Sequence, residues 1–408
     1  MIELKLAWRN ITRHRRKSLM TLLAIMTGVA GIIVFSGFIE ANYSGLRESV
    51  IRSQYGHMQV HQKGYLEYHR NSPAEYRLTP DTVDEYMNLV EDDERVLVTS
   101  PRLEFTGLLG NETTSQAAII RGVDADKETL INSALTIIDG SELYSDEEDA
   151  IIVGEGLAAS LNSGVGDILT LLAANDNGVM NAVDVRIVGI FRSFAKEYDD
   201  RAMMMNISQA QLLLDTEDVD KLVVLLSDTP LLDGFVADLQ QHIDNKNLQL
   251  EYQMWHQMAT FYHKVVDLYD GFFLFINIVI IAIVLLSITN TMIVTVMERT
   301  FEIGTTRALG VHRSNIVFQF VTEGALLALL SGLAGIALGA GVSSYITSLD
   351  IMMSPPPGSS QGFPLSIMQV PQTWIVSIIA VVLVAVIATF VPAYRAAKQN
   401  IVDALRHV

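Results

Sequence analysis

Apolar residues gather along the chain in four runs, 18–39, 272–296, 316–345 and 374–394, which are almost free of charge. Each run reaches or exceeds the roughly 20 residues a helix needs to cross a bilayer, so the pattern predicts four membrane spans. Six Lys and Arg lie in 1–17, three in 297–315 and three in 395–408, against none in 346–373. The positive-inside rule then places a short amphipathic helix over 1–17, the 297–315 link and the 395–408 tail in the cytoplasm, with 40–271 and the loop 346–373 outside. Tyr345, Trp374 and Tyr394 stand at span ends, where an interfacial aromatic belt is expected. A cleaved signal peptide is the competing reading of the first run. The run is too long for one, and Phe38, Glu40 and Asn42 break the small-x-small cleavage pattern.

Polar and apolar positions outside the spans follow two rhythms. Tyr43, Leu46 and Val50 continue the first span in steps of three and four. Met254, Met258, Phe261, Val265 and Leu268 lead into the second in the same way. These stripes predict stalk helices over 40–53 and 254–271 that extend the spans beyond the membrane. Between them the period shortens. Strands are expected at 56–62, 151–153, 168–172, 183–190 and 222–226, and helices at 82–90, 156–162, 208–214 and 231–243. The predicted fold class is therefore an α-helical membrane protein with four transmembrane helices and a large α+β outer domain carried on helical stalks.

Charge changes the picture of that outer domain. Residues 40–271 hold 16 Lys and Arg against 40 Asp and Glu, a net of −24, while the three cytoplasmic pieces together carry +8. Such an acidic domain excludes nucleic acid as a partner, because affinity for phosphates rests on basic side chains. The chain has no cysteine, so disulfides and thiolate metal sites are ruled out. His57 and His61 would share a strand face, yet no neighbouring residues complete a zinc set and no HExxH helix exists. No GxSxG elbow supports a hydrolase, and Asp146-Glu147-Glu148-Asp149 reads as a solvated loop. Neither Gly154-Glu155-Gly156 nor Gly164-Val165-Gly166 is a phosphate loop, and GxxxxGK[ST] appears nowhere. The expectation is no catalytic, cofactor or metal site in this chain; if the protein uses ATP, another chain binds it.

The candidate chemistry lies in the link between the second and third spans, where Glu298, Arg299, Glu302, Gly304, Arg307 and Gly310 mark a charged helical segment that suits a coupling contact. Glu323 is the one ionisable residue inside a predicted span, a costly place for charge. Ser331, Gly335, Gly339 and Ser343 recur every fourth residue and predict a close helix–helix seam. Ser287, Thr289, Asn290 and Thr291 suit hydrogen bonds between helices. Pro355-Pro356-Pro357 stiffens the last outer loop, as a linker or as a lip that guides an amphiphile.

These residues carry a resemblance. Glu298-Arg299, Glu302-Ile303-Gly304 and Arg307-Ala308-Leu309-Gly310 resemble the "ER…EIG…RALG" segment of FtsX-type permeases, the membrane subunits of MacB/LolC/LolE/FtsX ABC transporters. The opening Leu6-Ala7-Trp8-Arg9-Asn10-Ile11 and the closing Pro392-Ala393-Tyr394-Arg395-Ala396-Ala397 are similar to that family's ends. Val153-Gly154-Glu155-Gly156-Leu157-Ala158 with Val165-Gly166-Asp167 resembles the MacB-type periplasmic core. Thr305-Thr306 depart from the aliphatic residues usual in relatives. The resemblance implies a permease of a type VII, mechanotransmission ABC complex in a bacterial inner membrane, without a fused ATPase. It implies as partners a cytoplasmic ATPase dimer, a second permease copy or homologous permease, membrane lipids and a periplasmic carrier or adaptor. The implied work is moving an amphiphilic envelope substrate such as a lipoprotein; the alternatives are drug or peptide efflux, or activation of a cell-wall hydrolase.

Overall fold

The computed structural model describes residues 15–68, 73–90, 92–193, 195–353 and 362–399. The expectations for the helix over 1–14, the Pro355-Pro356-Pro357 loop and the tail from 400 lie outside the described residues. Two compact units result, one from the chain up to Ser44 with Val265–Met352 and the chain from Pro364, the other from Gly45–Lys264 with Met353–Phe363.

The first unit is helical. Its elements are α1 (Arg15–Val50), α2 (Thr260–Glu298), α3 (Thr300–Ala308), α4 (Arg313–Thr347) and α5 (Pro371–Lys398). The four predicted spans fall inside α1, α2, α4 and α5, each long and apolar enough to cross a membrane. The small residues of α4 let backbones approach. A Cβ at Gly335 would stand 2.7 Å from the Val29 Cβ and 2.9 Å from the Met26 carbonyl oxygen, and one at Gly339 would meet Ile33 at 3.1 Å. Ser331 and Ser343 are fully buried in the same row. Thr291, from the polar cluster late in the second span, shares a 2.7 Å hydrogen bond with Thr21 of α1. Ile25, Val29, Ile33, Val284, Ile288, Ala328, Val381 and Ala385 fill the space between these helices.

Beyond Pro364 the chain straps across α1. The Met368 amide donates to the Gly37 carbonyl at 3.0 Å, and the Ile367 amide to the Thr347 hydroxyl at 3.0 Å. Gly37 has no room for a side chain, since a Cβ there would lie 2.3 Å from the Met368 oxygen.

Both stalk expectations need adjustment. α1 runs 36 residues to Val50 and continues as a π-helical turn, Ile51–Tyr55, ending at Gly56 with φ +66. On the other side, helix 254–271 is corrected: Met254 belongs to a strand, Met258 ends the single turn Trp255–Met258, and α2 starts at Thr260. Ala259, at ψ +63, breaks the path. The four-residue step from Met254 to Met258 looked helical, but five residues ending at Met254 pair with a neighbouring strand, and those backbone bonds decide the conformation.

The second unit is built on ten strands: β1 (Met58–Gln62), β2 (Val96–Gly110), β3 (Ser115–Val123), β4 (Thr136–Gly140), β5 (Ala150–Gly154), β6 (Ile168–Ala174), β7 (Met180–Arg192), β8 (Ala202–Asn206), β9 (Lys221–Leu226) and β10 (Leu250–Met254). Six of them close on themselves in the order β2-β3-β8-β5-β7-β6 and back to β2. Every second residue of these strands joins one apolar cluster: Ala118 and Ile120, Ile151 and Val153, Leu169 and Leu171, Val185 and Ile187, Met203 and Met205. Leu157, Leu161 and Leu213 complete it from the helices Glu155–Leu161 and Ile207–Leu214. The intervening residues Ala150, Ile152, Ala202 and Met204 join a second cluster with Val188 and Phe191, so β5 and β8 are covered on both faces. That is why their sequences are continuously apolar.

The first half of β2 carries a leaf in the order β10-β1-β9-β2. All six residues of β9 are buried. β1 is covered on both faces too, so His61 and Gln59 are as buried as Met58 and Val60, against the one-sided burial its alternation predicted. The glycines of Gly154-Glu155-Gly156 serve packing: a Cβ on Gly154 would lie 2.2 Å from the Asp199 oxygen and one on Gly156 1.9 Å from the Asp200 carboxylate.

Candidate functional site

The segment between α2 and α4 is built as a hinge and a short platform. α2 ends at Glu298, and Arg299, with φ −103 and ψ 12, turns the chain into α3. The Thr300 hydroxyl bonds back to the Val296 carbonyl at 3.1 Å, and Ile303 and Gly304 are buried. Ile303 packs with Met292, Val296, Ile316, Phe320, Ala393 and Ala396, so α3 rests on the ends of α2, α4 and α5.

Two arginines secure it. Arg299 reaches Glu302 and Glu323, each at 3.2 Å, with its guanidinium 5.1 Å from the Phe320 ring centre. Glu323 is 8% exposed, and Arg299 compensates its charge inside the span. Arg307 donates to the carbonyls of Ala397 at 2.9 Å and Gln399 at 3.0 Å, a cation at the carbonyl end of α5. The Thr305 and Thr306 hydroxyls return to the Phe301 and Glu302 carbonyls at 3.0 and 2.7 Å. Gly310, at φ +94, closes the segment in the left-handed region.

The six predicted coupling residues thus divide. Arg299, Gly304 and Arg307 face other helices, while Glu298, Glu302 and Gly310 are exposed. Sequence reasoning missed two side chains, Phe301 on α3 and Leu309 just after its end, which are 51% and 82% exposed. Their signal was present in the sequence: two large apolar residues in a charged link outside the spans.

Of the predicted stalk residues, Leu46 and Val50 are buried, Val265 and Met258 half-buried, and Phe261 and Leu268 exposed. What joins the two helices is Tyr43, whose hydroxyl lies 3.0 Å from the Val266 carbonyl oxygen and 2.8 Å from an Asp270 carboxylate oxygen. Its ring meets Tyr269 edge-on at 6.2 Å. This is a polar clasp rather than an interlocking apolar stripe.

The strand-rich unit holds a second constellation. Glu104 pairs with Lys221 at 2.7 Å and Arg121 at 2.8 Å; Arg77 pairs with Asp220 at 3.0 Å and with Asp176; and fully buried Arg102 pairs with Glu128 and donates to the Gln54 carbonyl. Burial alone would raise the Glu104 pKa, yet Lys221 and Arg121 together hold it well below the usual carboxylate range. His57 is pushed down to about 4 by burial. Its Nδ1 accepts from the Leu226 amide at 3.1 Å, so Nε2 carries the proton and donates to the Thr229 hydroxyl at 3.0 Å. That hydroxyl donates in turn to Glu48 at 2.7 Å. His61 instead stacks on Tyr65 at 4.3 Å. The two histidines therefore serve separate polar contacts, and no cluster among the described residues is arranged to hold a metal.

Two family models match this chain. Residues 18–242 match the MacB-like periplasmic core domain, and 274–401 the FtsX-like permease C-terminal family. The chain is 24% identical to the ABC transporter permease YvrN of Bacillus subtilis, over 99% of both chains. It is also 24% identical to the macrolide export ATP-binding/permease protein MacB of Agrobacterium fabrum, with 98% of this chain covering 60% of that one. Against the lipoprotein-releasing system transmembrane protein LolE of Haemophilus influenzae it is 22% identical, over 78% of this chain and 80% of LolE. With its spans, its α3 platform and its strand-rich unit accounted for, the chain belongs to the MacB- and LolE-type family of ABC transporter permeases.

Proposed function

We propose that this permease docks a separate cytoplasmic ABC ATPase through α3, and that α1 and α2 carry ATP-driven motion to the strand-rich unit to move an amphiphilic envelope substrate. The observation that carries the docking half is α3 itself: anchored by Ile303, Arg299 and Arg307, it presents Phe301, Glu302 and Leu309 to solvent. A rigid platform with two exposed apolar anchors fits insertion into a partner's cleft, because such anchors dominate interface energetics. ATP and Mg would bind the partner. The transmission half rests on length. α1 and α2 have 36 and 39 residues, ~54 and ~58 Å at ~1.5 Å per residue, well beyond a ~30 Å hydrocarbon core.

A lipoprotein is the substrate class favoured by the LolE relative, and the sequence of the spans supports an amphiphile over a polar solute. Glu323 is their one ionisable residue, and Arg299 occupies it. Exposed Phe261 and Leu268 suit contact with a second permease copy.

The test is co-reconstitution with the neighbouring ATPase. Leu309→Asp and Phe301→Ser change exposed apolar side chains, so the protein should insert and melt as wild type while ATPase stimulation falls about tenfold or more. Full stimulation in both variants would refute docking through α3.

A further inference from the structure

A cavity of about 530 Å³ opens where α4 begins and α5 ends. Its wall is apolar, formed by Val317, Phe318 and Val321 of α4 and Phe390 of α5. Phe318 and Phe390 are each about half exposed, and Val321 lies ~12 Å along α4 from Arg313 at ~1.5 Å per residue. The rim is basic: His312, Arg313 and Lys398, with no acidic residue in the lining.

Among the described residues neither Arg313 nor Lys398 takes part in an ion pair. At the end of the same helix the Ala397 and Gln399 carbonyls are already met by Arg307. The His312 Nδ1 accepts from the Ser314 amide at 3.3 Å, which leaves the proton of the neutral ring on Nε2 as a further donor.

An apolar wall beneath a basic rim at the end of two membrane spans matches an amphiphile with a negative head. We propose that this cavity binds one anionic phospholipid, its phosphate held by Arg313, Lys398 and His312 and one acyl chain laid along Phe318, Val321 and Phe390. A zwitterionic lipid would set its ammonium against three basic groups. The chain's own residues 1–17, with six Lys and Arg and a single Glu, carry the same sign as the rim and are disfavoured as occupants. The assignment is independent of how the ATPase docks.

The experiment is native mass spectrometry of the full chain extracted from vesicles of equimolar phosphatidylglycerol and phosphatidylethanolamine. Wild type should retain one phosphatidylglycerol per chain, about tenfold over phosphatidylethanolamine, since each basic residue at a surface adds to attraction for anionic lipid. Arg313→Gln with Lys398→Gln should abolish that preference. Arg313→Lys with Lys398→Arg should preserve it, and Val321→Trp, which fills the groove and leaves every charge in place, should abolish retention. Equal retention of the two lipids by wild type, or undiminished phosphatidylglycerol on both the double Gln variant and Val321→Trp, would overturn the assignment.

Discussion

In the helical unit one buried carboxylate, Glu323, meets one guanidinium, and that guanidinium belongs to Arg299, where α2 gives way to α3. In the strand-rich unit Glu104, Glu128 and Asp220 meet Arg77, Arg102, Arg121 and Lys221, on strands that cross the sheet or elements packed on it. The first arrangement is a single link across a hinge. Its replacement is expected to shift the set of α3 and to leave the apolar contacts between spans in place. The second spans many elements, and removing a sole partner such as Arg102 strands a charge in a medium that cannot solvate it. Buried charge therefore acts as a joint in one unit and as a lock in the other.

The largest effect is expected from the lock. Arg102→Ala leaves Glu128 buried without its partner, which typically costs about 3–5 kcal/mol, whereas replacing both by Met should recover much of it. Thermal unfolding followed by Trp255 fluorescence, in a background with Trp8 and Trp374 replaced by Phe, reads this directly. Arg299→Gln, which keeps an amide donor for Glu323, should by contrast lower the melting point less and reduce ATPase stimulation. Equal destabilisation by the two substitutions would erase the distinction between joint and lock.

Next in size is an acid response of the strand-rich unit. Because the folded His57 pKa is depressed to about 4, the unfolded chain takes up a proton first as pH falls below its ordinary value near 6.5. Stability should therefore decline from about pH 6.5 towards 4, by an order of 2–3 kcal/mol for this group. Glu104 adds its own loss only below about pH 4.5, as its carboxylate partnership with Lys221 and Arg121 ends. Melting curves of His57→Gln should lose the slope between pH 6.5 and 5 and keep the steeper fall below. A slope unchanged in that variant would assign it to another group.

Smaller is the effect at the seam between α1 and α4. Gly335→Ala asks Val29 and the Met26 carbonyl to yield by several tenths of an ångström. A melting point lowered by a few degrees is expected, with nothing comparable at Gly341, where a Cβ meets nothing within 4 Å.

How far the sequence foretold all this depends on what each residue had to satisfy. The spans were legible because a bilayer demands length and apolarity from every position, and the α4 seam because small residues four apart have few other uses. β8 was missed: Met203-Met204-Met205 is covered on both faces, so no alternation marked it. β2 was missed because its fifteen residues pass from the leaf into the closed ring and change partners midway. The break at Ala259 carries neither Gly nor Pro, so no residue type marked it. At the coupling segment the residue types were readable. Which of them anchor and which present themselves was not, because the partners of Arg299 and Arg307 lie 24 and 90 residues away.

The central claim, that α1 and α2 transmit motion as continuous helices, has a direct measurement. The chain lacks cysteine, so a single Cys at Asn175, in the turn after β6, accepts a spin label without background. In the permease–ATPase complex the distance between labels on two copies should change on ATP binding. Val265→Pro removes a backbone hydrogen bond inside α2 and kinks it. In an assembled Val265→Pro complex, ATP hydrolysis should persist while the nucleotide-dependent distance change is lost. A wild-type distance change in that assembled variant would contradict the account.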